Sequence, residues 1–248
     1  MELRRIYLKE FKREGQTLIL DKIVSRRIFT VLRLKEGNRL EVFWDSNNNF
    51  IAEVKKNKSS HAVIELKEKI ISTAPAEIVC LAQSILKASR MDWLVEKCVE
   101  IGIAELHPLI SAYTVCTLKD TAYSHKLRRW QKIIISAAEQ SGKVHIPEIQ
   151  KTRFLSDALL ALYKEYDIIF CCNKTHDTVN LHSIEFTNLL QKGKPMLFVG
   201  PEGGWSDEEI QQAREHKAIF INFGNYPFRA ETTSVIAVAI VKYLIKQI

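Results

Sequence analysis

The stretch that decides the fold is Met196-Leu-Phe-Val-Gly-Pro-Glu-Gly-Gly-Trp-Ser-Asp-Glu-Glu209. Its first four residues are apolar and predict a buried strand, which runs directly into a turn with three glycines in five residues. Ser206 and Glu209 have the spacing of a capping box, in which each side chain accepts from the backbone amide of the other residue. Asp207 and Glu208 add negative charge where the helix dipole favours it. The pattern predicts a strand, a glycine turn and a capped helix.

The glycine turn has two interpretations, an ordinary strand-to-helix loop or a ligand-binding loop. Its spacing, G-x-x-G-G, differs from the dinucleotide pattern G-x-G-x-x-G, and no Lys-Ser/Thr pair follows as a P-loop requires. The two acids in the first helical turn would repel a phosphate. A ligand at this turn is therefore expected to be neutral or cationic and to be held by backbone groups, and a nucleotide-binding oxidoreductase is disfavoured.

A second segment has the same organisation. Ile219-Phe-Ile-Asn-Phe223 predicts another buried strand, Gly224 ends it, and a turn leads into Arg229-Ala-Glu-Thr-Thr233. Residues 234–245 then predict a helix that is apolar on nearly every side, and such a helix is buried in its own domain, against a partner subunit, or both. Two glycine turns after two strands, with Arg229 and Glu231 before a buried helix, indicate a site.

The strand and helix signals divide the chain into two domains. Residues 1–71 predict a small β-barrel: a hairpin of Arg39–Trp44 and Phe50–Val54, a strand at His61–Leu66, and a short helix capped by Ser25. Residues 72–248 alternate strands (78–86, 105–109, 167–172) with helices (89–102, 124–141, 182–190). Alternation of this kind predicts an α/β domain with a mostly parallel sheet, which binds ligands beyond the carboxyl ends of its strands. Both glycine turns fall there.

The formal net charge of +7 is concentrated near the amino terminus, since residues 1–70 hold 16 Lys and Arg against 10 Asp and Glu. This distribution favours a module that binds a polyanion over a basic surface without a partner. The five cysteines form no C-x-x-C pair, which favours a reducing compartment and no metal. Cys171-Cys172, with His176 nearby, is better explained by buried packing than by a metal site. No apolar stretch approaches 18 residues, so we expect a cytoplasmic protein that does not span a membrane.

Several motifs in this order resemble one family. Val199-Gly-Pro-Glu-Gly-Gly-Trp-Ser206 and Phe223-Gly-Asn-Tyr-Pro-Phe-Arg-Ala-Glu-Thr-Thr233 are similar to the two signature motifs of the RsmE family of small-subunit ribosomal RNA methyltransferases, within the SPOUT superfamily. Other matching stretches are Leu86-Lys87 with Arg90, Val95–Lys97, Val99–Gly102, Ala137–Gly142 with Ile146-Pro147, and Val31–Arg33 with Gly37. The resemblance covers almost the whole chain.

The resemblance implies a fold, a reaction and partners. The fold would be a carboxyl-terminal, trefoil-knotted, mostly parallel sheet with flanking helices (72–248) and an amino-terminal PUA-like RNA-binding barrel (1–71). The reaction would be methylation of uridine N3 in the decoding region of 16S ribosomal RNA, with S-adenosylmethionine as the donor. The substrate would be RNA within the assembled small subunit, and the enzyme would be a homodimer without a metal.

The resemblance also assigns residues. The cofactor-binding positions would be Val199, Gly200, Glu202, Gly203, Phe223, Gly224, Phe228 and Thr232. The resemblance also places Lys87 and Arg90 at the RNA-facing rim. In the basic amino-terminal segment, the residues expected to contact phosphate are Arg4, Arg5, Arg26, Arg27 and Arg33. Arg229 would stabilise the uridine anion or form a structural ion pair with Glu231. Glu231 would be the general base, orient Arg229 or cap the last helix.

The chain departs from the family pattern at two places. Pro227-Phe228 stands where the family has Ile-Leu or Val-Leu, and Pro227 cannot donate a backbone hydrogen bond to the cofactor. Arg27 stands where a histidine is common. Two alternatives therefore remain: a SPOUT methyltransferase with another target nucleotide, or a ribosome-assembly RNA-binding protein without catalysis.

Overall fold

The computed structural model describes residues 3–45, 47–58, 61–71, 75–87, 89–115, 120–173, 177–181, 183–224 and 227–248. The chain divides into two compact units. The amino-terminal unit contains Met1–Ala74 together with Ala138–Ile146, and the carboxyl-terminal unit contains Pro75–Ala137 and Pro147–Ile248.

The amino-terminal unit is built on a curled mixed sheet. Its described residues form six strands in the order β1-β4-β5-β6-β3-β2, where β1 pairs parallel with β4 and the other neighbours are antiparallel. The strands are β1 (Arg5–Tyr7), β2 (Phe11–Glu14), β3 (Thr17–Leu20), β4 (Arg39–Asp45), β5 (Asn48–Lys58) and β6 (His61–Lys69). The predicted hairpin corresponds to β4 and β5 and is confirmed. Alternate strand residues, among them Ile6, Leu18, Leu40 and Ile64, pack into one apolar core.

The short helix of this unit begins earlier than the sequence predicts. Helix α1 (Lys22–Arg26) continues into a π-helical turn, Arg27–Val31. The expectation that Ser25 is the N-cap is wrong: Asp21 is the cap, and its carboxylate accepts from the amides of Ile23 and Val24 at 2.6 and 2.9 Å. Ser25 lies inside the helix, where its buried hydroxyl accepts from the amide of Ala62 at 2.7 Å. Both residue types are good caps, and the tertiary contact with β6 decides between them.

The carboxyl-terminal unit is an α/β layer structure, which confirms the predicted alternation. Its described strands are β7 (Cys80–Ser84), β8 (Glu105–Ile110), β9 (Glu148–Ile149), β10 (Arg153–Phe154), β11 (Asp167–Cys171), β12 (Pro195–Val199) and β13 (Ile219–Ile221). The sheet order is β10-β8-β7-β12-β11-β13, β9 also pairs with β8, and every pairing is parallel. The helices are α2 (Ser89–Ile101), α3 (Asp120–Ser141), α4 (Leu155–Leu162), α5 (Ile184–Lys192), α6 (Asp207–Glu215) and α7 (Ala230–Leu244), and the last residues of α3 belong to the amino-terminal unit.

The central strands of this sheet are covered on both faces. Every residue of β7 and of β12 is buried, as the apolar composition of Met196–Val199 predicts. The strands β9 and β10 are absent from the sequence prediction because two-residue strands carry no periodicity. The helix α4 is absent from it as well. Within the described residues, no helix is long and apolar enough to cross a membrane.

Candidate active site

The strands β7, β12, β11 and β13 are neighbours and run parallel, so their carboxyl ends lie at the same edge of the sheet. A cavity of about 420 Å³ lies at this edge. The segments that follow these strands supply its walls. The lining residues are Arg90, Cys171, Cys172, Asn173, Val199, Gly200, Pro201, Glu202, Gly203, Gly204, Trp205, Pro227, Phe228, Arg229, Ala230 and Thr233. A volume of this size is typical of a site for a small organic ligand.

The loop of residues 200–206, which follows β12, is packed against a buried indole. Trp205 donates from Nε1 to the carbonyl of Cys171 at 3.1 Å, and its ring contacts Phe170 at a centroid distance of 4.6 Å. A Cβ on Gly200 would lie 3.2 Å from the Trp205 ring, so a side chain at this position would push the loop away from its support. The glycine therefore allows the backbone to pass between the indole and the cavity.

The next two glycines serve the same loop differently. A Cβ on Gly203 would lie 2.8 Å from the Cβ of Tyr113, a contact that backbone movement alone would relieve. Gly204 has open space around it, but its φ of +73° is a left-handed conformation that other residues adopt at a cost. Gly203 is therefore required because Tyr113 leaves no room for a side chain, and Gly204 because of its left-handed backbone conformation.

The predicted capping box of α6 is confirmed in both halves. Ser206 Oγ accepts from the amide of Glu209 at 3.2 Å, and Glu209 Oε2 accepts from the amide of Ser206 at 2.9 Å. The other carboxylate oxygen, Oε1, accepts from the amide of Ala112 at 2.7 Å. Glu209 therefore holds the turn that carries Tyr113 as well as the helix cap.

Two carboxylates face one guanidinium at the wall of the cavity. Glu202 Oε1 accepts from the backbone amide of Lys87 at 3.2 Å and lies 3.4 Å from Arg90 Nη1. Arg90 Nε lies 3.9 Å from Glu231 Oε1. Arg90 thus bridges the 200–206 loop and the first turn of α7.

Glu231 and Arg229 have contrasting environments at the start of α7. Glu231 is only 8% exposed, and its Oε2 has no hydrogen-bond partner within the described residues. Arg229 is the exposed N-cap residue and lines the cavity. In the described part of the chain, its guanidinium forms no ion pair, so the alternative of an Arg229–Glu231 ion pair is not present; Glu231 faces Arg90 instead.

Comparison with known proteins places this cavity in a family. A family model described as an RNA methyltransferase domain matches residues 72–242. The chain is 31% identical to the ribosomal RNA small subunit methyltransferase E of Buchnera aphidicola subsp. Schizaphis graminum, over 94% of this chain and 93% of that protein. The chain belongs to the ribosomal RNA small subunit methyltransferase E (RsmE) family of RNA methyltransferases.

A second relative and a solved structure extend this result to the full length. The enzyme of the same name from Rickettsia conorii is 27% identical, over 98% of this chain and 97% of that protein. The crystal structure of a ribosomal RNA small subunit methyltransferase E from Neisseria gonorrhoeae, bound to S-adenosyl methionine, is 28% identical with a TM-score of 0.87 and covers 98% of both chains. The resemblance to the RsmE family is confirmed.

Seven of the residues that the RsmE motifs assign lie in the cavity wall: Arg90, Val199, Gly200, Glu202, Gly203, Phe228 and Arg229. Phe223, Gly224, Thr232, Glu231 and Lys87 lie outside the lining, although Glu231 and Thr232 are in the first turn of α7 beside lining residues. Gly224 has a φ of +110°, which explains the glycine at that turn.

One wall of the cavity is not predicted from the sequence. Cys171, Cys172 and Asn173 line it because β11 lies next to β12 in the sheet. The rule that ligands bind beyond the ends of parallel strands would have found them, had the neighbour of β12 been known. Burial raises the pKa of the Cys171 thiol, so Cys171 brings no charge to this wall. No group of three His, Cys, Asp or Glu side chains in the described residues could hold a metal ion.

The five arginines expected to bind RNA in the amino-terminal unit divide into two groups. Arg4, Arg26 and Arg33 are exposed. Arg5 pairs with Glu41 at 2.8 Å and lies over the ring of Phe43, and Arg27 pairs with Glu139. The guanidinium groups of Arg5 and Arg27 thus have carboxylate partners within their own unit.

Proposed function

We propose that this protein transfers a methyl group from S-adenosylmethionine to N3 of a uridine in the decoding region of 16S ribosomal RNA. The observation that carries the proposal is the glycine-lined cavity beyond β11 and β12, in a chain of the RsmE family. The relative from Neisseria gonorrhoeae, which has the same overall fold, is described as bound to S-adenosyl methionine. The donor supplies an activated methyl group on a cationic sulfur, so the main task of the protein is alignment.

The residues of the cavity suit such a donor. Phe228, which is 46% exposed, offers apolar surface for a purine, and Gly200 and Gly203 let the backbone approach without side chains. The carboxylate of Glu202 complements a cationic ligand better than a phosphate. We propose as cofactor-binding positions Val199, Gly200, Glu202, Gly203, Phe223, Gly224, Phe228 and Thr232. Several of them would act through backbone groups, and Pro227 contributes no amide.

Arg229 is the proposed electrostatic catalyst. N3 of uridine must lose its proton before it accepts a methyl group, and a guanidinium remains charged throughout. A cation within roughly 4–6 Å lowers the pKa of such a group by about 1–3 units, or about 1.4–4 kcal/mol. The absence of an ion pair at Arg229 within the described residues supports this role.

Glu231 is the proposed proton acceptor. Its Oε2 is buried and lacks a hydrogen-bond donor in the described part of the chain, so it has an unused acceptor beside the cavity. Its other oxygen faces Arg90, which would hold the carboxylate in one orientation. Arg90 therefore acts within the site in this proposal, and Lys87 lies at the rim towards RNA.

The amino-terminal unit is the proposed RNA-binding module, a PUA-like barrel. Arg4, Arg26 and Arg33 are the candidates for phosphate contacts because they are exposed, whereas Arg5 and Arg27 are occupied by carboxylates. Phosphate contacts give affinity that depends on salt but do not select a sequence. The choice of the uridine would then depend on the shape of the assembled small subunit in the cytoplasm.

Two further features complete the proposal. By its resemblance to the SPOUT superfamily, the carboxyl-terminal unit would contain the trefoil knot. A homodimer is supported by α7, on which Tyr243 is 71% exposed and Val235, Ile236 and Ile240 are only partly buried. The measurement for the homodimer is the molar mass in solution by light scattering.

Methyl transfer to small ribosomal subunits is the direct test. The protein is incubated with S-adenosylmethionine labelled on the methyl group and with small subunits that lack the modification, and the modified base is mapped by a reverse-transcription stop. The expected result is incorporation into 16S RNA and one stop at a uridine. RNA binding without transfer would support the assembly-factor alternative, and a stop at another base would support a different target. Calorimetry that detects no donor binding would overturn the proposal.

A further inference from the structure

Gln83 is a polar residue in the middle of the buried sheet. It lies on β7, where all five residues are buried, and its own exposure is zero. A buried amide is costly unless its donors and acceptor are all satisfied, and an apolar residue would serve packing alone at lower cost. The position of this side chain next to β12 therefore calls for a specific role.

The amide nitrogen of Gln83 holds the start of the 200–206 loop. Nε2 lies 2.8 Å from the carbonyl oxygen of Ser84 and 3.3 Å from the carbonyl oxygens of both Val199 and Gly200. These last two carbonyls mark the point where β12 ends and the loop of the cavity begins. Gln83 thus donates to the backbone at the root of the loop proposed to hold the methyl donor.

The amide oxygen of Gln83 holds the helix on the other side of the cavity. Oε1 accepts from the hydroxyl of Ser234, which is fully buried in α7. The same hydroxyl lies 3.1 Å from the carbonyl oxygen of Ala230, in the first turn of that helix. That turn directly follows Arg229, the N-cap residue.

Gln83 therefore joins the two segments that any transfer reaction in this cavity must align. We propose that Gln83 is a positioning residue, which fixes the 200–206 loop relative to the first turn of α7 through Ser234. The inference rests on the proposed function, in which the loop holds the donor and Arg229 faces the base. Gln83 touches neither reactant. It sets the relation between them, and a misplacement of about 1 Å is enough to cost roughly a hundredfold in rate.

Arg90 also bridges the 200–206 loop and the first turn of α7, but through ion pairs instead of buried neutral hydrogen bonds. Arg90 is partly exposed and contacts Glu202 and Glu231 at 3.4 and 3.9 Å, where solvent weakens the interaction. The Gln83 bridge is fully buried and uses neutral hydrogen bonds, so it keeps its geometry when charged ligands enter.

Single and double variants separate the two ends of the bridge. Ser234→Ala removes the contact with α7 only, so we expect kcat to fall about tenfold or more while the dissociation constant of S-adenosylmethionine stays within about threefold. Gln83→Met, which preserves size, removes both ends and weakens donor binding as well. Since Ser234 acts through Gln83, adding Ser234→Ala to Gln83→Met should produce no further loss in kcat.

Ser84→Ala is the matched control, because Ser84 is buried on the same strand and its hydroxyl has no hydrogen-bond partner among the described residues. It should leave kcat, donor affinity and thermal stability unchanged. Losses in kcat that multiply in the double variant, or a wild-type kcat in Ser234→Ala, would overturn the inference.

Hydrogen exchange gives a readout that does not depend on the reaction. In Gln83→Met we expect faster amide exchange in both residues 200–206 and the first turns of α7, and in Ser234→Ala in α7 only. Exchange identical to wild type in both variants would overturn the bridge, even for a protein without methyl transfer. If wild-type protein shows no transfer but the exchange pattern is as expected, the proposed function fails and the bridge stands.

Discussion

Arg27 and Glu139 form a bidentate pair, with Nη1 2.8 Å from Oε1 and Nη2 2.6 Å from Oε2. Glu139 Oε1 also accepts from the backbone amide of Tyr7 at 2.8 Å. Glu139 is buried, and it belongs to Ala138–Ile146, the segment that joins the amino-terminal unit from far along the chain. The pair therefore attaches this segment to β1 and to the π-helical turn.

Removal of Arg27 is expected to affect stability. Among the described residues, Arg27→Ala leaves the buried Glu139 carboxylate with the Tyr7 amide as its partner, so the free energy of unfolding should fall by about 1–3 kcal/mol. Arg26, the exposed neighbour, gives the matched control. Arg26→Ala should change the free energy of unfolding by less than about 0.5 kcal/mol. Urea denaturation measures both. Equal effects of the two variants would contradict the assignment of Arg27 as a structural residue.

For RNA binding, a substitution at Arg26 is expected to have a larger effect than one at Arg27. Arg26→Glu should weaken binding to small-subunit RNA and reduce the dependence of the binding constant on salt, because an exposed phosphate contact is lost. Arg27→Gln, which removes the charge, should leave that salt dependence unchanged, since the Arg27 guanidinium is used within the unit. Binding titrations at several salt concentrations measure both slopes. An unchanged slope in Arg26→Glu would remove this residue from the RNA contacts.

Arg229→Ala is expected to separate catalysis from donor binding. The lost stabilisation of the uridine anion, about 1.4–4 kcal/mol, corresponds to roughly a 10- to 1000-fold lower kcat. The dissociation constant of S-adenosylmethionine should stay near the wild-type value by calorimetry. Arg214→Ala is the control, because Arg214 is an exposed arginine of α6 that pairs with Asp177 outside the cavity. Near wild-type transfer in Arg229→Ala would end the proposed role.

Gly203→Ala is expected to weaken donor binding by a steric effect. The new Cβ would lie 2.8 Å from the Cβ of Tyr113, so the loop must move out of the cavity wall or into it. Tyr113→Gly in the same chain removes the obstructing atom and should restore part of the affinity. Gly204→Ala meets no neighbour and suffers backbone strain of about 1–2 kcal/mol, which Tyr113→Gly cannot relieve. The test is calorimetric titration with S-adenosylmethionine of Gly203→Ala and Gly204→Ala, each with and without Tyr113→Gly. Equal rescue of the two alanine variants by Tyr113→Gly would contradict the steric explanation.

Local patterns were sufficient to predict the parts of the fold that depend on neighbouring residues. The capping box of Ser206 and Glu209 and the β4–β5 hairpin each follow from a few consecutive residues, and the parallel sheet follows from the alternation of strands and helices along residues 72–248. Gly200 and Gly224 follow strands β12 and β13, as the alternation of strands and helices predicts.

Contacts between distant residues account for what the sequence did not reveal. Gln83 and Ser234 are 151 positions apart, and Arg27 and Glu139 are 112 positions apart. No periodicity links such pairs, so the basic segment predicts a phosphate contact at Arg27 and gives no sign of its ion pair with Glu139. The order of strands in the sheet, which brings Cys171 to the cavity, is likewise not encoded in local spacing.

Glu209 provides the last prediction, because its carboxylate serves two segments. Ser206→Ala removes the hydroxyl half of the cap and should cost about 1 kcal/mol of unfolding free energy. Glu209→Ala also deprives the amides of Ser206 and Ala112 of their acceptor, so its cost should be larger, about 1–3 kcal/mol for the buried donor.

Amide exchange at Ala112 should accelerate in Glu209→Ala but not in Ser206→Ala. The exposed neighbour Glu208 is the control: Glu208→Ala loses its hydrogen bond with Ser206 and the helix-dipole contribution of about 0.3–1 kcal/mol, and it should leave exchange at Ala112 unchanged. Equal acceleration at Ala112 in all three variants would show that the turn follows general loosening of α6, because among these three residues the described hydrogen bond to the Ala112 amide comes from Glu209.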